Sequence, residues 1–264
     1  MTEIRTPFEE PIKAANLCVR LAQDEAEITA SQKLRYRVFY EEMSAIPSED
    51  VRAQKRDFDK FDDICDHLLV LDTDKTGEDA VVGTYRLLRR TALPEGQRFY
   101  TQDEYDVSKI VALKEDVLEL GRSCVDENYR SRAAMQLLWR GIGEYVAAYK
   151  IAIMFGCASF HGDDPKEHAL ALSYLNHFHR TPEELCPVAL KERYTSMDII
   201  PKDQIDERAA LKEVPALIKG YLRLGGTIGD GAVLDHDFNT TDVSIVVQTE
   251  LLTDKYYHRY HPGE

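Results

Sequence analysis

The alternation of apolar and polar positions divides the chain into a succession of strands and helices. After a polar arm over residues 1–14, Asn16–Ala22 alternates with period two and predicts a first strand. Leu34, Tyr36, Val38 and Phe39 recur at roughly helical spacing, which predicts a helix capped by Asp24 or Thr29 and running to Met43. The charged stretch 46–60 predicts a mobile loop. His67–Asp72 and Ala80–Arg89 are strongly apolar, and the turn-forming residues between them predict an antiparallel hairpin. Pro94–Asp106 predicts a short helix beneath a loop, and Val117–Cys124 a strand. Ala134, Leu137, Leu138, Ile142, Tyr145 and Val146 fall on one face of a helix over Ser131–Lys150, with Trp139 packing beside that stripe. Ile151–Ser159 is a near-continuous apolar run, as in a strand buried on both faces. A helix over Lys166–His179 follows, then irregular chain with some strand character over Glu183–Pro201. An amphipathic helix over Val214–Leu224 ends at Gly225-Gly226. Gly229-Asp-Gly231 predicts a turn and Val243–Thr249 a last strand. Strands and helices therefore alternate in a mixed α/β pattern without internal repeats or low-complexity linkers. At this length residues 1–264 fit one large domain, or one domain with an appendage.

Composition narrows the function classes. The chain has 264 residues and an ordinary apolar share, enough for a sizeable core. Its formal net charge of −14 argues against general nucleic-acid binding and against non-specific adhesion to anionic lipid. An acidic partner would need a local basic patch, for which Arg86, Arg89, Arg90, Arg98, Arg130 and Arg132 are candidates. No apolar run reaches the ~18 residues of a membrane-spanning helix, and the N-terminal residues lack a signal-peptide core. The expectation is a cytoplasmic protein whose contact with the inner membrane is peripheral and local, through Val214–Leu224. The five cysteines are odd in number and form no C-x-x-C pair, so reduced thiols are expected and no zinc or other metal site.

Within the predicted strand at 117–124, Glu119 and Arg122 interrupt the apolar run with opposite charges. A polar turn with Arg130 and Arg132 and a helix N-terminus come directly after. That arrangement suits chemistry on an anionic or acyl-carrying ligand, and equally an ion pair on a half-exposed strand. The acids from Asp57 to Asp66 read as a solvated loop or as a carboxylate pocket for a cationic substrate. Their spacing does not fit a calcium loop. Cys124 has no evident histidine partner and reads as a small buried residue rather than a nucleophile. His177 and His179 diverge on a helix, which makes His161, after a buried strand, the better functional histidine.

Val125-Asp-Glu-Asn-Tyr-Arg-Ser-Arg-Ala-Ala-Met135 resembles the pyrophosphate loop of the GNAT acyltransferases. The implied fold is a single GNAT-like domain over 1–264, with a mostly antiparallel central sheet flanked by helices and an extended C-terminal segment over about 205–264. Four ordered motifs resemble those of acyl-homoserine-lactone synthases: Leu34-Arg35-Tyr-Arg-Val38-Phe39, Asp57-Phe-Asp59-Lys-Phe-Asp62, Arg86-Leu87-Leu88 and Glu119-Leu-Gly-Arg122. The widest resemblance is to the bacterial ornithine lipid N-acyltransferases. It covers Leu34–Met43, Glu119–Val125, Phe155–His161, Pro215–Gly225 and Gly229–Val243. This family resemblance implies transfer of a 3-hydroxyacyl group from acyl carrier protein to the α-amine of L-ornithine, giving lyso-ornithine lipid. No cofactor is implied beyond the donor's own 4'-phosphopantetheine. Glu119 would be the base, and Arg122 would hold Glu119 or the substrate carboxylate. Arg35 and Phe39 would line the acceptor side, and Asp59 and Asp62 would take the ornithine ammonium. Arg86, the backbone of Ser123, Cys124 and Val125, and the side chains of Arg130 and Arg132 would serve the donor. His161 is a further possible site residue. An acyl-homoserine-lactone or other N-acyl amino acid signal synthase is the alternative enzyme. An inactive regulator that binds carrier protein or membrane is the alternative outside enzymes.

Overall fold

The computed structural model describes residues 7–130 and 132–251. In chain order the elements are β1 (Ile12–Ala14), β2 (Leu17–Leu21), α1 (Glu25–Tyr36), α2 (Glu49–Gln54), β3 (Asp66–Asp72), β4 (Val81–Arg89), β5 (Tyr105–Asp106), α3 (Ser108–Val111), β6 (Val117–Val125), α4 (Arg132–Tyr149), β7 (Ile153–His161), α5 (Ala169–Phe178), β8 (Val188–Ala189), β9 (Tyr194–Thr195), α6 (Glu207–Glu213), α7 (Ala216–Arg223), β10 (Thr227–Asp235) and β11 (Thr240–Gln248). They form two compact units. Among the described residues, the first holds 7–93 and Leu120–Ile151, and the second holds Pro94–Glu119 and 152–251.

In the first unit, β1, β2, β3 and β4 form an antiparallel meander, with registers such as Val19↔Val70 and Leu68↔Tyr85. β3 is buried almost throughout because both of its faces are covered. Gly141 of α4 sits against β2 and β3, where a Cβ would come within 2.9 Å of the Val19 side chain. The predicted α4 stripe is buried in full. The polar arm is shorter than expected, since Ile12–Ala14 pairs as β1. α1 begins at Asp24, whose carboxylate accepts the Glu27 N–H at 2.9 Å. Past Tyr36 the helix widens into a π-helical segment, Arg37–Glu42, in which Met43 N–H reaches Val38 O. The predicted mobile loop contains α2, capped by Ser48.

In the second unit, Val117–Glu119 of β6 runs parallel to Ile153–Phe155 of β7. β7 pairs antiparallel with β11 along its whole length, from Ile153↔Gln248 to His161↔Thr240. β11 pairs with β10, which meets β8 and β9, and β8 pairs with β5. The expected turn at Gly229–Gly231 is instead a bulge inside β10, where the register with β11 shifts. Gly231 is required there: its φ is +80°, and a Cβ would fall 2.5 Å from the Tyr194 ring. In the Val214–Leu224 segment Val214, Ile218 and Tyr221 are buried, while Leu217, Leu222 and Leu224 are half-buried. No helix among the described residues is long and apolar enough to cross a membrane.

Candidate active site

The acidic segment 57–62 folds inward in the first unit, around three arginines from three elements. Arg35 of α1 is wholly buried. Its Nε lies 2.7 Å from Asp57 Oδ2, and its Nη2 donates to Asp62 Oδ1 at 2.8 Å and to the Asp57 carbonyl at 2.5 Å. Arg86 of β4 donates to Asp59 Oδ1 at 2.7 Å and lies 3.7 Å from Asp62 Oδ2. Arg122 of β6 sits 3.3 Å from Asp57 Oδ2 and 3.5 Å from Asp59 Oδ2. The Tyr40 hydroxyl donates to Asp57 Oδ1 at 3.0 Å. The turn is held by the Asp59 N–H on Asp62 Oδ2 and the Phe61 N–H on Asp59 Oδ1. Neither a solvated loop nor an open carboxylate pocket describes it, because each of these acids already faces a guanidinium.

This packing separates the predicted residues. The side chains of Arg35, Asp57, Asp62 and Arg86 are at most 5% exposed, whereas Asp59 keeps 25% and Arg122 15%. Arg35 and Asp62 therefore hold each other instead of lining an acceptor surface, and Arg86 lies inside the network instead of on a basic donor patch. Asp59 is likewise committed to Arg86 and Arg122, which leaves it a poor receptor for an ornithine ammonium. Phe39 packs on the apolar cluster of Leu34, Val38, Leu69 and Cys124. Arg89 also turns inward, donating to the Tyr145 hydroxyl at 2.7 Å and lying over the Tyr149 ring at 3.8 Å. Arg98 pairs with Asp103 at 2.5 Å.

Burial by itself raises the pKa of Asp57, but Arg122, Arg35 and Arg86 outweigh it and hold the carboxyl below its ordinary range. Asp59 is lowered in the same way, burial being outweighed by Arg86 and Arg122. A depressed carboxylate contributes stability above its unfolded pKa, about 3.9, and that contribution is lost as pH falls through the folded value. The melting temperature is therefore expected to drop below about pH 4, with a shallower acid limb in Asp59→Asn. An identical limb in wild type and variant, followed by circular dichroism, would remove the network as its cause.

Arg122 has φ +50°, a left-handed conformation inside a strand. A non-glycine residue held there costs about 1–3 kcal/mol and persists only when its surroundings fix it. Here the contacts to Asp57 and Asp59 do so, re-aiming the side chain where plain alternation would fail. Two residues on, Cys124 is buried in the apolar cluster, and burial pushes its thiol up to about 12. That suits packing and disfavours a nucleophile. Asp126 N–H donates to Val82 O and its carboxylate caps Asn128 N–H. Arg130 Nε donates to Val125 O at 3.1 Å, and its half-exposed guanidinium pairs with Glu42. Ser131 and the Arg132 side chain lie outside the described residues.

Glu119 belongs to the second unit. It is 6% exposed, and its Oε1 and Oε2 accept the N–H groups of Thr101 at 2.6 Å and Tyr100 at 3.1 Å. Two backbone amides thus hold the Glu119 carboxylate, and Arg122 contacts Asp57 and Asp59. The same covering segment ends in Glu104, which is 2% exposed. Glu104 approaches Asp242 of β11, and one carboxylate oxygen from each of Glu104, Asp235 and Asp242 lies within 4.8 Å of the other two. Burial and the Asp242 charge push Glu104 up to about 8. Burial raises Asp242 to about 6. Sequence reasoning passed over this pair. The alternation of polar Thr240, Asp242 and Ser244 with apolar Val243 and Ile245 was a usable signal for Asp242, whereas nothing local marked Glu104. His161 lies at the exposed end of β7, opposite Thr240. His177 pairs with Asp198 at 3.0 Å, and His179 with the Tyr174 hydroxyl at 2.9 Å.

Comparison with known proteins gives this geometry a context. The acetyltransferase (GNAT) domain family matches residues 34–140. The chain is 46% identical over 252 residues to the L-ornithine N(alpha)-acyltransferase of Brucella abortus (strain 2308), covering 94% of this chain and 90% of the relative. It is 47% identical over 257 residues to the L-ornithine N(alpha)-acyltransferase of Agrobacterium fabrum, covering 96% and 87%. Among solved structures, FeeM, an N-acyl amino acid synthase from uncultured soil microbes, is similar with a TM-score of 0.52 at 10% identity, over 94% of this chain and 98% of that one. That likeness shows a shared GNAT-like fold, mixed α/β with a mostly antiparallel sheet.

Proposed function

The chain belongs to the L-ornithine N(alpha)-acyltransferase family and is an acyltransferase; from that premise we propose that it transfers a 3-hydroxyacyl group from acyl carrier protein to the α-amine of L-ornithine, giving lyso-ornithine lipid. The observation that carries this reading is near-half identity, over more than nine-tenths of the chain, to acyltransferases named for ornithine.

The chemistry needs a base, because an ammonium must lose a proton before its nitrogen attacks a thioester. Glu119 takes that role. Each of its oxygens accepts one amide N–H, and a carboxylate retains lone pairs beyond those two. The new C–N bond forms as the C–S bond breaks. The amine proton goes to Glu119, which passes it to the departing pantetheine sulfur, so that the sulfur leaves as a thiol and Glu119 returns to the carboxylate. Arg122, the most exposed arginine of the 57–62 network, offers a planar donor for the acceptor's carboxylate. Backbone N–H groups at Ser123–Val125 serve the oxyanion, and Arg130 meets the pantetheine phosphate. The pantetheine arrives as part of the donor, so the step calls on no resident cofactor.

Incubation with 3-hydroxyacyl carrier protein and L-ornithine, read by mass spectrometry, is expected to yield the N-α-acyl product. The free coenzyme A thioester is expected to serve less well. An acyl product on a different amine only, or a product from the lactone-synthase acceptor only, would redirect the assignment. No product from any amino acid would sink it.

A further inference from the structure

One face of the second unit's sheet carries a polar row that the reaction as written does not use. Register places Glu119 beside Phe155, Cys157 beside Ser244, Ser159 beside Asp242 and His161 beside Thr240. These residues recur at period two and so share a face. The segment Phe99–Tyr105 lies over that row. Its first amides are held by Glu119, and Tyr105 pins its end by donating to Asp242 O at 2.9 Å and Gly231 O at 3.1 Å. Glu104 is thereby carried down beside Asp242.

The resulting cluster is short of positive charge: Cys157 lies beside Glu104, and Ser159 and Thr240 beside Asp242, and none of the three carries a charge. Among the described residues, Glu104 Oε2, Asp242 Oδ1 and Ser244 Oγ are buried atoms without a hydrogen-bond partner, and their residues are 2%, 6% and 0% exposed. Among the described residues, one guanidinium stands against the three carboxylates, that of Arg193, 4.0 Å from Glu104 Oε1. Burying ionised carboxylates without a partner is costly, which is why both acids of the pair are raised. Asp235 is the least available of the three, since its Oδ1 already accepts the N–H groups of Asp237 and Phe238. Toward the surface the row continues into the exposed Ser159 and His161.

We infer that Glu104 and Asp242, with Ser244, form the subsite that receives the side-chain ammonium of a diamino-acid acceptor while its α-amine is presented to Glu119. This rests on the acyl-transfer reading above and assigns the specificity that the 57–62 acids do not supply. An ammonium brings three N–H donors and one positive charge, matching two unpaired carboxylate oxygens and one unpaired hydroxyl. Cys157 of β7 lies beside Glu104, and two positions along the same strand Phe155 is the register partner of Glu119, so the cluster and Glu119 share one face of the sheet. A divalent metal is a poorer fit, because Arg193 stands beside Glu104 and Asp235 is partly committed.

The test compares L-ornithine with L-norvaline, the same carbon chain without the terminal amine, in wild type, Asp242→Asn and Glu104→Gln. Wild type is expected to favour ornithine strongly. The variants are expected to lose roughly 100-fold in kcat/KM on ornithine and to leave norvaline turnover within about twofold, since only the ammonium's partners are changed. Equal losses on both substrates, or an unchanged ornithine preference, would overturn the subsite. Thermal shift separates this outcome from failure of the acyl-transfer reading. Ornithine raising the melting temperature of wild type, but not of folded Asp242→Asn, supports the subsite even where no acyl product forms. A saturable Mg2+ or Ca2+ stabilisation of chelator-treated wild type that Asp242→Asn abolishes would assign the cluster to a metal and remove the proposal.

Discussion

Arg35→Met is expected to lower folding stability by roughly 3–5 kcal/mol, a large part of the total for a domain of ordinary stability. The side chain is wholly buried, and its guanidinium faces two carboxylates that are themselves buried, Asp57 and Asp62. Methionine fills similar volume, so the loss reflects the charge left behind, not a cavity. Arg86 remains against Asp62 at 3.7 Å and Arg122 against Asp57 at 3.3 Å, which makes the loss partial. Urea unfolding at neutral pH measures it directly. The double change Arg35→Met with Asp57→Asn should recover part of the loss by removing one stranded charge. An Arg35→Met protein with the wild-type midpoint would mean that the network contributes nothing to folding.

Glu119→Gln is expected to reduce kcat by about 10²–10⁴ with KM little changed, the signature of a lost general base. A structural cost accompanies it. The two carboxylate oxygens accept the amides of Tyr100 and Thr101, and glutamine offers one oxygen and one NH2 to those two donors. One amide then meets another donor, and about 1–3 kcal/mol of stability goes with it. Kinetics must be read well below the variant's melting temperature. Full turnover by a folded Glu119→Gln enzyme would leave Glu119 as the anchor of the Phe99–Tyr105 segment only.

Much of the architecture was legible from periodicity. The β3–β4 hairpin, the α4 stripe and the buried run of β7 followed from apolar spacing alone, because each buries its own face in a way local sequence records. Short elements escaped. β1 and α2 depend on a neighbouring strand or a cap, and the Gly229–Gly231 turn became a bulge because β10 continues through it. The ordered motifs marked Arg35, Asp57, Asp59, Asp62, Arg86, Glu119 and Arg122 as a set worth naming, but not which of them face one another.

Residue identity by itself determined the inventory: a run of acids, interspersed arginines, and a glutamate and an arginine set into one strand. Tertiary structure alone decided their partners. Coulomb attraction in a water-poor interior drew Arg35, Arg86 and Arg122 onto Asp57, Asp59 and Asp62, with a left-handed backbone at Arg122 interrupting the plain strand alternation. Glu104 and Asp242 stand 138 positions apart in number, and only the covering of the β7–β11 face by the Phe99–Tyr105 segment brings two acids together without a cation between them.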